Sequence, residues 1–113
     1  MSRTMLALPL ALCLAVPAMA QQPPINLHDP AVIAAGQKLF NKNCAGYCHG
    51  KDGLVGRGPS LRGRTDLDAD DIHDTITFGR RDSGKIMPSW KGQLSDQQIW
   101  ELTAFIMSLR NVK

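Results

Sequence analysis

The segment Cys44–His49 constrains this chain more than any other, because it places two thiols and an imidazole within one short stretch. Its sequence is CAGYCH, and no second cysteine-rich segment follows it. Aromatic residues make up only 5% of the 113 residues, which is little for a packed core. A small domain with so thin a core usually needs a cross-link, a metal or a cofactor. We therefore expect the fold to be organised around this segment.

Two cysteines with a histidine directly after the second are the arrangement that attaches c-type haem. The thiols add to the haem vinyl groups, and the histidine becomes the proximal ligand of the iron. Here three residues separate Cys44 from Cys48, where the usual motif has two. On an α-helix this spacing turns through about 400° rather than about 300°. We expect Cys48 and His49 to be unaffected, the Cys44 thioether to be in question, and Gly46 to absorb the extra residue as a bulge.

Three other readings of the thiols remain open at this point. Cys44 and Cys48 could form a plain disulfide, since an exported chain meets an oxidising compartment. A catalytic dithiol normally has two intervening residues, so the spacing disfavours it. A zinc site needs a fourth ligand and usually two separated pairs, and only His28 and His73 remain to complete one.

The first twenty residues have the pattern of a secretory signal peptide. Arg3 precedes an apolar run over residues 5–16, and Ala18-Met19-Ala20 has the small residues of a cleavage site. A membrane span needs about 20 apolar residues, and the run stops too early. Lipidation at Cys13 is disfavoured because Leu12 is too large for the preceding position. We expect cleavage after Ala20, no stable membrane anchor and a periplasmic location.

Beyond the leader, residues 21–28 are expected to form a flexible arm and residues 29–113 a single domain. Asp29-Pro30 predicts a helix from about residue 30 to residue 41. A second helix is expected over 68–78, stopped by Gly79, and a last helix from a capping box at Ser95 to about residue 110. The segments 50–64 and 80–91 are predicted to be loops. The expected class is therefore all-α, with three to four helices, long loops and no convincing strand.

A haem iron with one histidine needs a sixth ligand or has an open site, and three side chains are candidates. Met87 lies in a glycine-rich loop directly before Pro88, which would hold its thioether rigidly. Met107 lies inside the last helix and is expected to pack there. His73 lies on an aspartate-rich helix face and is expected to be solvated. Met87 is therefore the favoured sixth ligand.

The chain resembles the class I c-type cytochromes over nearly all of residues 21–113. Several short motifs and their order carry the resemblance: Ala35-Gly36-Gln37-Lys38-Leu39-Phe40, Cys44-Ala45-Gly46-Tyr47-Cys48-His49-Gly50, Gly58-Pro59-Ser60-Leu61, Ile86-Met87-Pro88-Ser89-Trp90 and Leu102-Thr103-Ala104-Phe105-Ile106.

The resemblance implies one covalent haem c and a set of residue roles. Gly36 and Phe40 would cross the last helix near Phe105, with the glycine allowing close approach. Pro59 would offer its carbonyl to His49 Nδ1–H, and Met87 would be the distal ligand, which raises the reduction potential.

Further side chains have two possible roles each. Arg80 and Arg81 are either partners of a haem propionate or a solvated basic turn. Trp90, Trp100 and Phe78 are either haem-pocket residues or, as we favour, core residues.

The function that the resemblance implies is electron transfer between periplasmic redox proteins, without catalysis by the chain itself. Similar small cytochromes serve quinoprotein alcohol dehydrogenases, and similar loops occur in terminal oxidases, so a dehydrogenase, an oxidase or another cytochrome is the expected partner of a monomer. Two alternatives remain: an open-site haem enzyme or gas sensor, peroxidase-like in character, and a non-haem dithiol protein.

The formal charge of +3 is too small to indicate nucleic-acid binding. The charges are nevertheless uneven along the chain. Acidic residues cluster at Asp66, Asp68, Asp70, Asp71 and Asp74. Basic residues on the expected haem side are Lys38, Lys42, Lys51, Arg57, Arg80, Arg81, Lys85 and Lys91. We expect these eight to form a basic docking ring for an acidic partner face.

Overall fold

A computed structural model describes residues 11–15, 23–54 and 56–113. Most of the expected leader, including its cleavage site, lies outside the described residues. Within the described ranges, no helix combines the length and apolarity that crossing a bilayer would require. Residues 26–29 already form a hydrogen-bonded turn, in which the Asp29 amide donates to the Asn26 carbonyl at 3.2 Å. This turn leads directly into the first helix.

Helix α1 spans Pro30–Asn43 and begins as its sequence predicts. The Asp29 carboxylate accepts a hydrogen bond from the Ala31 amide at 2.9 Å, and Pro30 occupies the first helical turn, where no amide donor is needed. The helix runs two residues beyond the predicted end at Asn41. Its last carbonyls therefore lie immediately before the cysteine segment.

Helix α2 spans Ala69–Phe78, and helix α3 spans Asp96–Ser108. Asp68 caps α2, and Gly79 ends it with a φ of 76°. Ser95 and Gln98 form the predicted capping box of α3, with distances of 3.1 and 2.9 Å. A short 3-10 turn, Leu109–Asn111, continues α3 to one residue past the predicted end at about residue 110. All three predicted helices are confirmed.

The segment after α2 was expected to be a loop, and this expectation is wrong. Strands β1 (Arg80–Asp82) and β2 (Lys85–Met87) form an antiparallel hairpin in which Arg80 pairs with Met87. Ser83 and Gly84, with φ values of 47° and 80°, make its two-residue turn. Two positive φ values suit the twist of a tight hairpin, and this is the geometry of a type I′ turn. The fold remains mainly helical.

The three helices enclose one apolar core in which α3 is central. Helix α3 packs against both α1 and α2. The core also takes in the start of the cysteine segment through Ala45. Its buried residues are Phe40, Ala45, Ile72, Ile76, Ile99, Leu102, Phe105, Ile106 and Leu109.

Helices α1 and α3 cross in close contact at Gly36. A Cβ added to Gly36 would overlap the Glu101 carbonyl and lie 2.9 Å from the Phe105 Cβ. Below this point the Phe40 and Phe105 rings meet with centroids 5.2 Å apart and planes inclined at 56°, a favourable aromatic geometry. The predicted crossing of Gly36 and Phe40 with Phe105 is confirmed.

Substituting Gly36→Ala is expected to lower the free energy of unfolding by about 1–3 kcal/mol, because the new methyl group has no room between two backbones. Guanidinium unfolding of the purified protein measures the loss. Gly46→Ala is the matched control, since its Cβ would meet nothing within 4 Å. A Gly36→Ala protein as stable as this control would contradict the close crossing.

Candidate functional site

The cysteine segment forms a π-helical turn over Ala45–His49. The His49 amide donates to the Cys44 carbonyl at 3.0 Å, and the Gly50 amide donates to the Ala45 carbonyl at 2.8 Å. Each bond spans five residues instead of the four of an α-helix. Gly46 lies inside this turn but does not have a positive φ, so the unusual backbone angle expected at this glycine is not present. The extra residue is distributed over the whole turn.

Cys44 and Cys48 are both free thiols, each half-buried. Cys44 packs against the core. Burial, and secondarily the nearby Cys48 thiol, raises the pKa of Cys44 to about 11. Cys44 is therefore a protonated thiol at neutral pH. The structure gives no support to the disulfide reading.

His49 is buried, with 9% of its surface exposed. Its Nδ1 lies 3.3 Å from the Pro59 carbonyl oxygen, so Nδ1–H can donate to that oxygen and leave Nε2 as the metal-binding nitrogen. Burial lowers the pKa of His49, and the Pro59 hydrogen bond partly opposes this shift. Burial favours the neutral imidazole that coordinates iron, and the hydrogen bond to Pro59 orients the ring. The contact that the resemblance implies for Pro59 is present.

Two glycines hold the loop before Pro59 tightly against the cysteine segment. The Gly58 amide donates to the Cys48 carbonyl at 2.6 Å, and a Cβ at Gly58 would lie 3.1 Å from the His49 ring. A Cβ at Gly56 would overlap the same Cys48 carbonyl. The sequence indicated only a loop here. The structure shows that small residues are needed for this loop to reach His49.

Asp52 anchors the same loop to α1 from the other side. Its carboxylate accepts from Gln37 Nε2 at 3.0 Å and from Asn41 Nδ2 at 2.9 Å, and its amide donates to the Asn41 side chain. Hydrogen bonds from Asn41 and Gln37 hold the pKa of Asp52 below its ordinary value. Its carbonyl accepts from Arg62 Nε at 3.1 Å, beyond Pro59 in the chain. Sequence reasoning missed Asp52. The feature that could have indicated it is the pair of amide side chains Gln37 and Asn41, which lie one turn apart on α1.

Met87 lies at the end of β2, partly buried against the core. The residues that follow it bind the carbonyls left unpaired at the end of α2. The Trp90 amide donates to the Ile76 carbonyl at 3.0 Å, and Ser89 Oγ donates to the Thr77 carbonyl at 2.6 Å. The end of α2 therefore fixes the chain directly after Met87.

Gly79 is required where the Met87 segment passes the end of α2. A Cβ at Gly79 would lie 2.7 Å from the Met87 carbonyl oxygen and 2.8 Å from the Ser89 amide nitrogen. Its φ of 76° also favours glycine. The residue predicted only as a helix stop thus also makes room for the methionine segment.

The hairpin and the Met87 segment line a cavity of about 410 Å³. Phe78 is 63% exposed and Ile86 is 64% exposed beside it, so the expectation that Phe78 is a core residue is wrong. Arg80 and Arg81 are exposed on β1. Residues of the cysteine segment are not part of this lining, which consists of Phe78, Gly79, Arg80, Arg81, Ile86, Met87, Pro88 and Ser89.

His73 is not solvated as expected. Only 14% of its side chain is exposed, its ring stacks on Trp100 at 4.1 Å, and Nε2 lies 2.8 Å from Asp96 Oδ1. Nδ1 lies 3.6 Å from Asp74 Oδ1. With both ring nitrogens facing carboxylates, His73 joins α2 to α3 and is poorly placed to bind iron.

The other expected core residues are confirmed. Trp100 is buried, and Trp90 and Met107 pack against the core as partly buried side chains. Trp90 does not line the cavity beside Met87. Met87, by contrast, lines that cavity.

The described residues fit a haem better than a bare metal ion. Over residues 11–15, 23–54 and 56–113, no three His, Cys, Asp or Glu side chains gather into a metal-binding group, as a zinc site would require. A haem needs one oriented imidazole and thiols beside it, and both are present. It also needs apolar surface to cover it, which the exposed Leu54, Phe78 and Ile86 offer.

Comparison with known proteins decides the family. The family described as "Cytochrome C oxidase, cbb3-type, subunit III" matches residues 31–106. The chain belongs to the cytochrome c family. Proteins of this family bind one covalent haem c and carry electrons.

Curated relatives of several kinds share this unit. The cbb3-type cytochrome c oxidase subunit FixPc of Rhizobium leguminosarum bv. viciae is 34% identical, over 72% of this chain and 29% of its own length. A quinohemoprotein alcohol dehydrogenase of Comamonas testosteroni is 35% identical, over 70% of this chain and 11% of its own. Cytochrome c6 of Leptolyngbya boryana is 34% identical, over 68% of this chain and 92% of its own. The chain thus spans under a third of the oxidase relatives and most of cytochrome c6.

A solved structure confirms the fold. Cytochrome CL from the marine methylotroph Methylophaga aminisulfidivorans superposes with a TM-score of 0.60 at 28% identity, over 73% of this chain and 57% of that one. The mainly helical cytochrome c fold that the sequence predicted is therefore confirmed.

Substituting Gly79→Ala is expected to destabilise the Met87 segment more than Gly84→Ala does. Both glycines have a positive φ, so each alanine is strained. At Gly79, with φ 76° and ψ 176°, the conformation is essentially restricted to glycine and the strain is about 1–3 kcal/mol. A Cβ at Gly84 meets nothing within 4 Å, whereas one at Gly79 meets the Met87–Ser89 backbone and adds about 1–3 kcal/mol. Guanidinium unfolding of both variants measures the difference. Equal losses would contradict the proposed packing of Gly79.

Proposed function

We propose that this cytochrome c is a periplasmic electron carrier whose haem is attached at Cys48 and ligated by His49 and Met87. The observation that carries the proposal is the orientation of His49, whose Nδ1 faces the Pro59 carbonyl at 3.3 Å. That contact leaves Nε2 for the iron. Met87 is supported as the second ligand because the adjoining backbone is bound to α2 and a cavity opens beside it.

The residues around the two ligands suit electron exchange. A haem iron with both axial positions filled passes single electrons between its ferric and ferrous forms. Pro59 raises the basicity of His49 through the Nδ1 hydrogen bond. Phe40 lies 6.1 Å from the His49 ring, centroid to centroid, and with the buried Ala45 excludes water from that side. A thioether ligand from Met87 raises the reduction potential.

We also propose that the electron comes from a quinoprotein alcohol dehydrogenase and passes to a terminal oxidase or another cytochrome. Support comes from relatives of both kinds, since this unit is similar to part of a quinohemoprotein alcohol dehydrogenase and to part of cbb3-type oxidase subunits. The leader pattern supports a periplasmic site of action.

Docking is proposed to use the basic residues on the exposed surface. Arg80 and Arg81 line the cavity beside Met87, and Arg80 is the proposed partner of a haem propionate. Half of the ten acidic residues lie on and just before α2, at Asp66, Asp68, Asp70, Asp71 and Asp74, so the charge distribution is uneven. The eight basic residues expected on the haem side are all exposed: Lys38, Lys42, Lys51, Arg57, Arg80, Arg81, Lys85 and Lys91. Such a distribution steers transient association with an acidic face.

Carbon monoxide tests the ligation. The reduced wild-type protein is expected to resist carbon monoxide at neutral pH, because Met87 occupies the sixth position. Met87→Leu is expected to bind it readily, with a shifted Soret band, while Met107→Leu behaves as wild type because Met107 only packs in the core. Ready binding by the wild type would instead favour the open-site haem enzyme or sensor. A colourless exported protein would favour the dithiol reading.

Ionic strength tests the docking surface. Stopped-flow reduction by a quinoprotein alcohol dehydrogenase is expected to slow several-fold as salt is raised, because salt screens steering between exposed charges. Arg81→Ala is expected to lower the low-salt rate, and Asp70→Ala, on the acidic helix, to leave it unchanged or faster. A rate insensitive to salt would rule out electrostatic steering.

A further inference from the structure

The haem attachment motif has one extra residue between Cys44 and Cys48, and its backbone forms a π turn instead of an α-helical one. In an α-helix, Cys44 and Cys48 would be separated by about 400°, so their side chains would leave the helix in directions that differ from the usual motif by about 100°. Such a change of direction would carry one thiol away from the vinyl group it must reach. An α-helical reading of the segment therefore predicts one attachment instead of two.

The π turn removes this mismatch. Its two hydrogen bonds, His49 to Cys44 and Gly50 to Ala45, each enclose one more residue than an α-helical bond does. A turn widened by one residue advances roughly 80° per residue, so four residues turn through about 320°, close to the usual 300°. The angle between the side-chain directions of Cys44 and Cys48 is then nearly the angle that the usual motif, with two intervening residues, would give.

The surroundings of the two thiols agree with this geometry. Both are half-buried and free of any disulfide. The Cys48 carbonyl is held by the Gly58 amide at 2.6 Å, and the Cys44 amide donates to the Phe40 carbonyl at 2.8 Å. Each cysteine backbone is thus anchored separately, and the turn between them sets their relative direction.

We propose that Cys44 and Cys48 both form thioethers to one haem, and that the π turn Ala45–His49 is what brings them into register. This rests on the proposed function. In each addition the thiol hydrogen moves to the terminal vinyl carbon and the sulfur bonds to the inner one. One carbon–carbon double bond is consumed, and no oxidant or reductant is needed.

A single tryptic peptide reports the outcome. Cleavage after Lys42 and Lys51 releases residues 43–51, which contain Cys44, Cys48 and His49 and exclude the chain's other cysteine. The full chain is exported from a host that matures c-type cytochromes, denatured, alkylated with iodoacetamide and digested. The proposal expects this peptide with one haem and no alkyl group. The peptide with haem and one alkyl group would overturn it while leaving the proposed electron carrier intact.

A peptide that carries no haem would overturn both the inference and the proposed function. The pyridine haemochrome spectrum gives a second readout, because its visible band moves to longer wavelength for each vinyl group left unsaturated. Cys44→Ser supplies the reference for one thioether. The wild type is expected to absorb at shorter wavelength than this variant, and coincident bands would overturn two-point attachment.

Two substitutions at one position test the role of the turn. Gly46→Pro disfavours the helical conformation of Ala45 before it, and so disrupts the first residue of the π turn. Most of its haem peptide is expected to gain one alkyl group, because Cys44 loses register while Cys48 stays anchored. Gly46→Ala is the matched control and is expected to keep both thioethers, since its Cβ meets nothing within 4 Å. Two thioethers at wild-type yield in Gly46→Pro would show that the turn does not set the register.

Discussion

The close crossing of α1 and α3 at Gly36 is the contact on which the rest of the structure depends. It brings Phe40 against Phe105 and so fixes where α1 ends. The Phe40 carbonyl then receives the Cys44 amide, and the Phe40 ring lies beside His49. This backbone contact, eight residues before Cys44, starts the sequence of contacts that places the imidazole. The crossing at Gly36 tolerates few substitutions, because two main chains meet there instead of two flexible side chains.

The methionine side of the site depends on a different physical requirement. A helix ends with carbonyls that have no partner in the helix, and buried polar groups of this kind must be satisfied. At the end of α2 the amides of Trp90 and Lys91 and the Ser89 hydroxyl satisfy them. The segment after Met87 is therefore held by the same bonds that complete α2. The position of Met87 therefore depends on how α2 ends.

Much of the fold could be read from the sequence because its signals are local. Asp29, Asp68 and Ser95 each cap the helix that follows, and Gly79 ends α2, as short-range hydrogen-bonding chemistry predicts. The hairpin was missed because its strands are only three residues long and its turn is Ser83-Gly84, outside the strongest turn pairs. Strands of three residues are too short to show the alternation of apolar and polar residues by which a strand is recognised in a sequence.

The site was predictable in composition but not in geometry. The residue types at Cys48 and His49 indicated their chemistry from sequence. The role of Pro59 came from the family resemblance, and its contact with His49 Nδ1 is present. The π turn was not predictable, because whether a helical turn closes over four residues or five depends on where the chain is anchored on either side. Asp52 was missed for a similar reason, since its partners Gln37 and Asn41 are distant in sequence. Likewise, the role of His73 became visible only with Trp100 and Asp96 of α3 beside it.

Helix α3 joins the two halves of the site. Phe105 supports α1 and, through Phe40, the imidazole side, while Trp100 stacks on His73 of α2 and so supports the methionine side. The two proposed axial ligands come from segments far apart in sequence, yet both are connected to α3. His49 is connected through Phe40 and Phe105, and Met87 through the end of α2 and the His73–Trp100 stack. A change in how α3 packs would therefore alter the two ligands together. The same helix also contributes four of the nine buried residues of the core, so the positions of both ligands depend on core packing as well as on local loop geometry.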